Sequence, residues 1–333
     1  MPAKLGEVTA GVCKGKKGNP ILVVVGQGSL TSKADTDLTL IFNMKSQKWH
    51  KKAKRPFKGH HHAAVGVGNR LYLIGGFLGG SSDRLQIYDC RKGQWSEGPK
   101  PPFASGGGAA TVIGDSIIYC GGVTDGNLIR GPARKDCARY DVKDKKWSTD
   151  VPPMPYGVHH AAAGSDGKRA MFFGGRTSSG NHVFGGVGYT QIYDLKTKVQ
   201  ERAAGRVRGV LATDLAHGRL SGLSSKEAQG GFFTAPSARK WSSSKDHKGP
   251  APLHVPRGGM GGAPFLGGKL WVIGGEAQYD PRTDKWEESL YHIPIPHHGT
   301  YPLLAYDGKI YVCGGGIKAG RSESNVCSTV RFK

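Results

Sequence analysis

KLWVIGGEAQYDPRTDKW, residues 269–286, holds in one short stretch the two units from which the whole chain is built. The first unit is an apolar burst that ends in Gly-Gly, here Gly274 and Gly275. It recurs as RLYLIGGF (Gly75, Gly76), SIIYCGGV (Gly121, Gly122), RAMFFGGR (Gly174, Gly175) and KIYVCGGG (Gly314, Gly315). A degenerate copy is ILVVVGQG, with Gly26 and Gly28. The second unit is an aromatic residue, six others, then Trp, here Tyr279 to Trp286. It recurs as FNMKSQKW (Phe42, Trp49), YDCRKGQW (Tyr88, Trp95) and YDVKDKKW (Tyr140, Trp147). A spacing kept this closely marks an internal repeat, and the period of roughly 45 residues is that of one supersecondary unit.

Each unit reads as strands. The burst before Gly-Gly is aliphatic on both faces, so it predicts a fully buried strand. The two glycines supply positive φ and close backbone approach where a side chain would clash. The aromatic-to-Trp unit predicts a hairpin with a polar turn, its two rings paired across the strands. A further short burst, such as HHAAVGVG, precedes each Gly-Gly strand. That makes about four strands per unit, the content of a propeller blade.

With Gly-Gly, Tyr and Trp at fixed spacing along essentially the whole chain, the sequence resembles the kelch-repeat family, in particular the central-domain class of galactose oxidase. The resemblance implies an all-β, six-bladed propeller of four-stranded antiparallel blades forming a single domain over residues 1–333. The blades fall at about 8–55, 60–101, 106–152, 159–250, 257–294 and 298–333. Blade 4 has YDLKTK but Gln200 in the Trp position, and Trp241 follows about 40 residues later. Residues 199–239 therefore read as an irregular insertion in that hairpin. Blade 6 lacks its Trp-bearing strand. Residues 1–7, which include Pro2, are a poor candidate for the missing strand, so weak closure at the termini is expected.

Composition narrows the function classes. The chain has 333 residues, 53 Gly and a formal charge of +22. No apolar run approaches the roughly 18 residues of a membrane helix. Two segments carry most of the charge: residues 1–58 hold 12 basic and 3 acidic side chains, and 196–248 hold 11 and 4. The densest piece, KSQKWHKKAKRPFK, contributes Lys45, Lys48, Lys51, Lys52, Lys54, Arg55 and Lys58 with no acid. Such a patch suits an anionic polymer, RNA or sulfated glycan, through counterion release. The six cysteines form no CxxC pair, which removes zinc-ribbon and thioredoxin readings. They read as small buried thiols, and a Cys13–Cys327 pair near the chain ends lacks support. With no basic-then-apolar leader in MPAKLGEVTAGVC, an intracellular, cytoplasmic location is expected, a secreted form being left open.

The resemblance implies that the turn before each inner strand faces the central mouth. Those turns carry Glu7, His60, His61, His62, Ser105, His159, His160, Arg257, His297 and His298. Imidazole and guanidinium groups converging on one axis suit a carboxylate or phosphate. The expectation is a non-enzymatic scaffold that docks a protein partner there, with no cofactor and no metal. Two enzymatic alternatives within the family are weaker. Copper-radical oxidases use a Tyr-His pair before an inner strand, but PHHGTYPLLAYDGKIYVCGGG has His297 in the Tyr place beside His298. Sialic acid mutarotases pair a Glu after the glycines with an Arg six residues on, a spacing met by Glu276 and Arg282. Arg282, however, falls in a hairpin turn expected to face away from the mouth.

Overall fold

A computed structural model describes residues 1–27, 36–124, 132–177, 186–195, 241–245, 249–254, 258–272, 277–288, 303–316 and 323–331. The expected insertion at 199–239, together with Arg257, Glu276, His297 and His298, lies outside the described residues.

Six antiparallel sheets follow one another along the chain as a six-bladed β-propeller. Blade 1 is β1 (Gly6–Lys14), β2 (Pro20–Gln27), β3 (Thr39–Asn43) and β4 (Lys48–Lys52). Blade 2 is β5 (Ala63–Val67), β6 (Arg70–Ile74), β7 (Leu85–Asp89) and β8 (Gln94–Glu97). Blade 3 is β9 (Ala109–Ile113), β10 (Ser116–Cys120), β11 (Cys137–Asp141) and β12 (Lys146–Ser148). Blade 4 is β13 (Ala162–Ser165), β14 (Arg169–Phe173), β15 (Thr190–Asp194) and β16 (Trp241–Ser243). Blade 5 is β17 (Phe265–Leu266), β18 (Lys269–Val272), β19 (Ala277–Asp280) and β20 (Lys285–Glu288). Blade 6 has three described strands, β21 (Leu303–Tyr306), β22 (Lys309–Cys313) and β23 (Cys327–Arg331).

The Gly-Gly bursts are the second strand of each blade and are buried on both faces, as a two-sided apolar run requires. In β6, Leu71 and Leu73 join a cluster with Cys13, Val23 and Val25 of blade 1. Their alternates Tyr72 and Ile74 join Ala110, Ile117 and Tyr119 of blade 3. In β14, Ala170 and Phe172 pack toward blade 3, and Met171 and Phe173 toward blade 5. The period of two thus shares one strand between two blade interfaces. The eight described glycines of the Gly-Gly pairs have φ between 62° and 98°. A Cβ on Gly76 would lie 2.3 Å from Nδ1 of His62, so the site also requires the missing side chain. The degenerate copy behaves otherwise: β2 runs on through Gly26 to Gln27.

Every aromatic–Trp unit is a directly opposed cross-strand pair. Phe42–Trp49, Tyr88–Trp95, Tyr140–Trp147 and Tyr279–Trp286 have ring centroids 5.0 Å apart. Tyr193 pairs with Trp241 at 5.4 Å, so the Trp two residues beyond the insertion restores the blade 4 register. Four indole N–H groups reach back to the preceding blade or the segment leaving it: Trp95 to Thr39 Oγ1, Trp147 to Pro99 O, Trp241 to Pro152 O and Trp286 to Ala251 O, at 2.8–2.9 Å.

Around the axis the inner strands approach closely at their glycines. A Cβ on Gly66 would stand 1.8 Å from the carbonyl oxygen of Val12, and one on Gly164 would stand 2.0 Å from that of Ala263. Between these strands runs a cavity of about 300 Å³ lined by Thr9, Gly11, Ala64, Gly66, Ala110, Ala163 and Gly164 among others. Gly66→Val should therefore push blades 1 and 2 apart and destabilise the protein by more than the usual ~1–3 kcal/mol of overpacking. A denaturant titration with an unchanged midpoint would refute that close approach.

The ring closes in a way that the sequence reading did not anticipate. Residues 1–7 do not add a fourth strand beside β23. Instead Leu5 exchanges backbone hydrogen bonds with Ser324 and accepts one from Gly315 at 3.0 Å, while the Met1 ammonium donates to Asn325 O at 2.6 Å. Leu5 and Val8 are buried in one cluster with Ile310, Tyr311, Val312 and Cys313.

The cysteines also depart from expectation. None is a free thiol: Cys13 pairs with Cys90, Cys120 with Cys137, and Cys313 with Cys327. The last two pairs join residues that face each other across β10–β11 and β22–β23. The first links the inner strand of blade 1 to the residue after β7 in blade 2. Spacing in sequence does not reveal this, because the partners meet only once the repeat is folded.

A histidine-lined end of the propeller axis

At or just before the start of the inner strand, blades 1 to 5 each have one position with left-handed backbone. Blade 1 has Glu7 there (φ 42°), blade 2 His61 (56°), blade 3 Gly107 (68°), blade 4 His160 (56°) and blade 5 Gly259 (86°). Backbone bonds link these positions from blade to blade. Gly107 N–H donates to His61 O at 3.0 Å, His160 N–H to Gly107 O at 2.8 Å, and Gly259 N–H to His160 O at 3.1 Å. Glycine adopts this conformation freely. A residue with a Cβ holds it at a cost of about 1–2 kcal/mol. Blades 1, 2 and 4 bear that cost and thereby turn three side chains toward the axis.

Those side chains meet. Glu7 Oε2 lies 3.0 Å from His61 Nε2. The His61 and His160 rings are edge-on with centroids 4.9 Å apart. One ligand atom from each of Glu7, His61 and His160 lies within 4.8 Å of the others. His60 stands against His61, Nδ1 to Nδ1, and His159 against His160 in the same way at 2.6 Å. Burial, then the neighbouring His61, lowers the His60 pKa to about 3. Burial, then the Arg176 charge, lowers that of His159 to about 4. Both flanking imidazoles are thus neutral near pH 7.

The other sequence candidates take different places. His62 is buried and turned away from the axis. Its Nδ1–H donates to Gly75 O at 2.7 Å and its Nε2 accepts from Arg55 Nη1 at 2.9 Å. Burial and then Arg55 lower its pKa to about 3, which keeps it neutral in this role. Arg55 is only 3% exposed, so it is a strut of the blade 2 entry turn and not part of a surface patch. Lys45, Lys48, Lys51, Lys54 and Lys58 are exposed on and after the outer hairpin of blade 1, with Lys54 3.7 Å from Asp37. Lys52 ends β4. Ser105 is buried and donates to Gly121 O at 2.7 Å. Arg282 lies in the β19–β20 turn and binds Asp280 at 3.0 Å.

His61 and His160, 4% and 3% exposed, fill the axis and do not stand at its rim. Among the described residues, Glu7, His60 and the loop that follows Gly75–Gly76 are left at the rim. Arg176 was missed. It follows Gly174–Gly175 directly and sits beside His159, and its place in RAMFFGGR was the only available signal. Phe77 holds the matching place in blade 2, where it bridges His60 and brings the 77–84 loop to this end. The next residue on that loop, Leu78, is 44% exposed.

Residues 11–204, more than half of the chain, match the family described as the KLHDC2/KLHL20/DRC7 Kelch-repeats domain. A search of curated proteins finds no match.

Proposed function

Because the chain belongs to the kelch-repeat family, whose propellers commonly serve as protein-interaction scaffolds, we propose that it is a non-enzymatic scaffold docking a protein partner through the loops at the histidine-lined end. The observation that carries this reading is Leu78, a large aliphatic side chain nearly half exposed on a loop held by a rigid blade beside the axis. Propellers suit docking because the sheets fix the positions of loops that are free to vary.

The exposed lysines of blade 1 favour a second reading, contact with an anionic polymer such as RNA or a sulfated glycan. One capture experiment separates the two. The immobilised wild-type protein, Leu78→Asp and the triple variant K45E/K48E/K51E are compared at low and moderate salt. A docked protein should be lost from Leu78→Asp and survive moderate salt. A polymer should be lost from the triple variant, with affinity falling steeply as salt rises, by a log–log slope of about 0.7–0.9 per phosphate contact. If nothing is retained on the wild type, or retention is equal on all three, both readings fail.

Among the described residues no helix is long and apolar enough to cross a membrane. The three disulfides favour work in an oxidising compartment over the cytoplasm expected from the sequence.

A further inference from the structure

We propose that Glu7, His61 and His160 form a binding site for one divalent transition-metal ion of the zinc class on the propeller axis. The donors come from three different blades, yet one ligand atom from each already lies within 4.8 Å of the others. Two adjacent ligands bound at about 2.0–2.1 Å stand about 2.8–3.0 Å apart around an octahedral ion and about 3.3–3.4 Å apart around a tetrahedral one. Glu7 Oε2 and His61 Nε2 are at such a separation, 3.0 Å. The His160 ligand atom, within 4.8 Å of both, completes the set by moving in to the same separation.

The chemistry of the donors selects the ion. Two imidazoles and one carboxylate suit zinc and its neighbours. Calcium and magnesium take all-oxygen shells. The surroundings supply what ligating histidines need. In each, the far ring nitrogen is normally engaged by a second group that fixes the ring. Here Nδ1 of His61 faces His60 and Nδ1 of His160 faces His159. With Nδ1 engaged, Nε2 is the nitrogen presented to the ion.

The backbone gives an independent argument. The same turn position is glycine in blades 3 and 5, so the turn needs no side chain. Blades 1, 2 and 4 nevertheless hold a Glu and two His in left-handed conformation, and those three residues are the ones that converge. Three protein ligands leave at least one coordination position for water or for a group brought by a bound molecule.

This inference does not depend on the docking reading, because it is tested on the isolated chain. The purified protein, treated with chelator and exchanged into chelator-free buffer, is titrated with zinc chloride by calorimetry. Magnesium and calcium chlorides serve as controls. One zinc per chain is expected, with no comparable binding of the other two ions. His61→Gly and His160→Gly should each weaken zinc binding by about tenfold or more. Glycine is chosen because it relieves the left-handed backbone, and a thermal melt checks that each variant is folded. Glu7→Gln provides a third reading should either glycine variant fail to fold. Cobalt(II) added in place of zinc should give visible absorption that disappears in the same variants. Absence of zinc binding at millimolar concentration, or binding unchanged in the folded variants, would overturn the proposal.

Discussion

Replacing Cys13 and Cys90 together by alanine will lower the unfolding free energy by about 4–5 kcal/mol, more than loss of either other disulfide. The ranking follows from chain entropy. Cys13–Cys90 spans 77 residues, against 17 for Cys120–Cys137 and 14 for Cys313–Cys327, for which the same relation gives about 3 kcal/mol each. The long bridge also joins two blades, whereas the short ones join adjacent strands that their ladders already hold. Denaturant unfolding of the three double variants, with and without reductant, measures this. Reductant should bring the wild type to the level of a protein lacking all three bridges. If the native protein titrates with six free thiols, or its midpoint ignores reductant, the pairing is wrong.

Trp286→Ala will cost about 3–5 kcal/mol, the range for truncating a buried aromatic. The ring is 6% exposed and packs on Tyr279 in its own blade at 5.0 Å and edge-on against Phe173 of blade 4 at 5.1 Å. Its N–H also satisfies Ala251 O on the segment leaving blade 4. Trp286→Phe separates these contributions. It keeps most of the packing but leaves that carbonyl without its donor, for about 1–3 kcal/mol. A thermal melt in which both variants match the wild type would show that the indole does not hold blades 4 and 5 together.

The repeat made most of the architecture readable, because its signals are local. A Gly-Gly after an apolar burst specifies a strand end with positive φ. An aromatic seven residues before Trp specifies a hairpin register, and Tyr193 with Trp241 kept that register across a 47-residue gap in numbering. What stayed hidden depends on partners far apart in the chain. Arg55 counted as one more charge in a basic run, but its guanidinium serves His62 and Gly59 O inside a turn. Of the turn residues expected at the mouth, the structure gathers Glu7, His60, His61, His159 and His160, with His61 and His160 buried, while His62 braces a turn. Their sequence neighbours do not show that left-handed backbone aims three of them at one another. That direction is set by hydrogen bonds between blades, such as His160 N–H to Gly107 O. The cysteine pairs are of the same kind.

The clasp between the first residues and blade 6 has a mechanical consequence. If the chain is pulled from its N-terminus and from β23, the load falls first on the contacts of Met1 and Leu5 with Asn325, Ser324 and Gly315. These hydrogen bonds, backed by the packing of Leu5 and Val8 on Ile310, Tyr311, Val312 and Cys313, bear the load while blades 2 to 5 feel no tension until they give way. The propeller should therefore open at a single seam under force, a split ring that yields at its gap before its body extends.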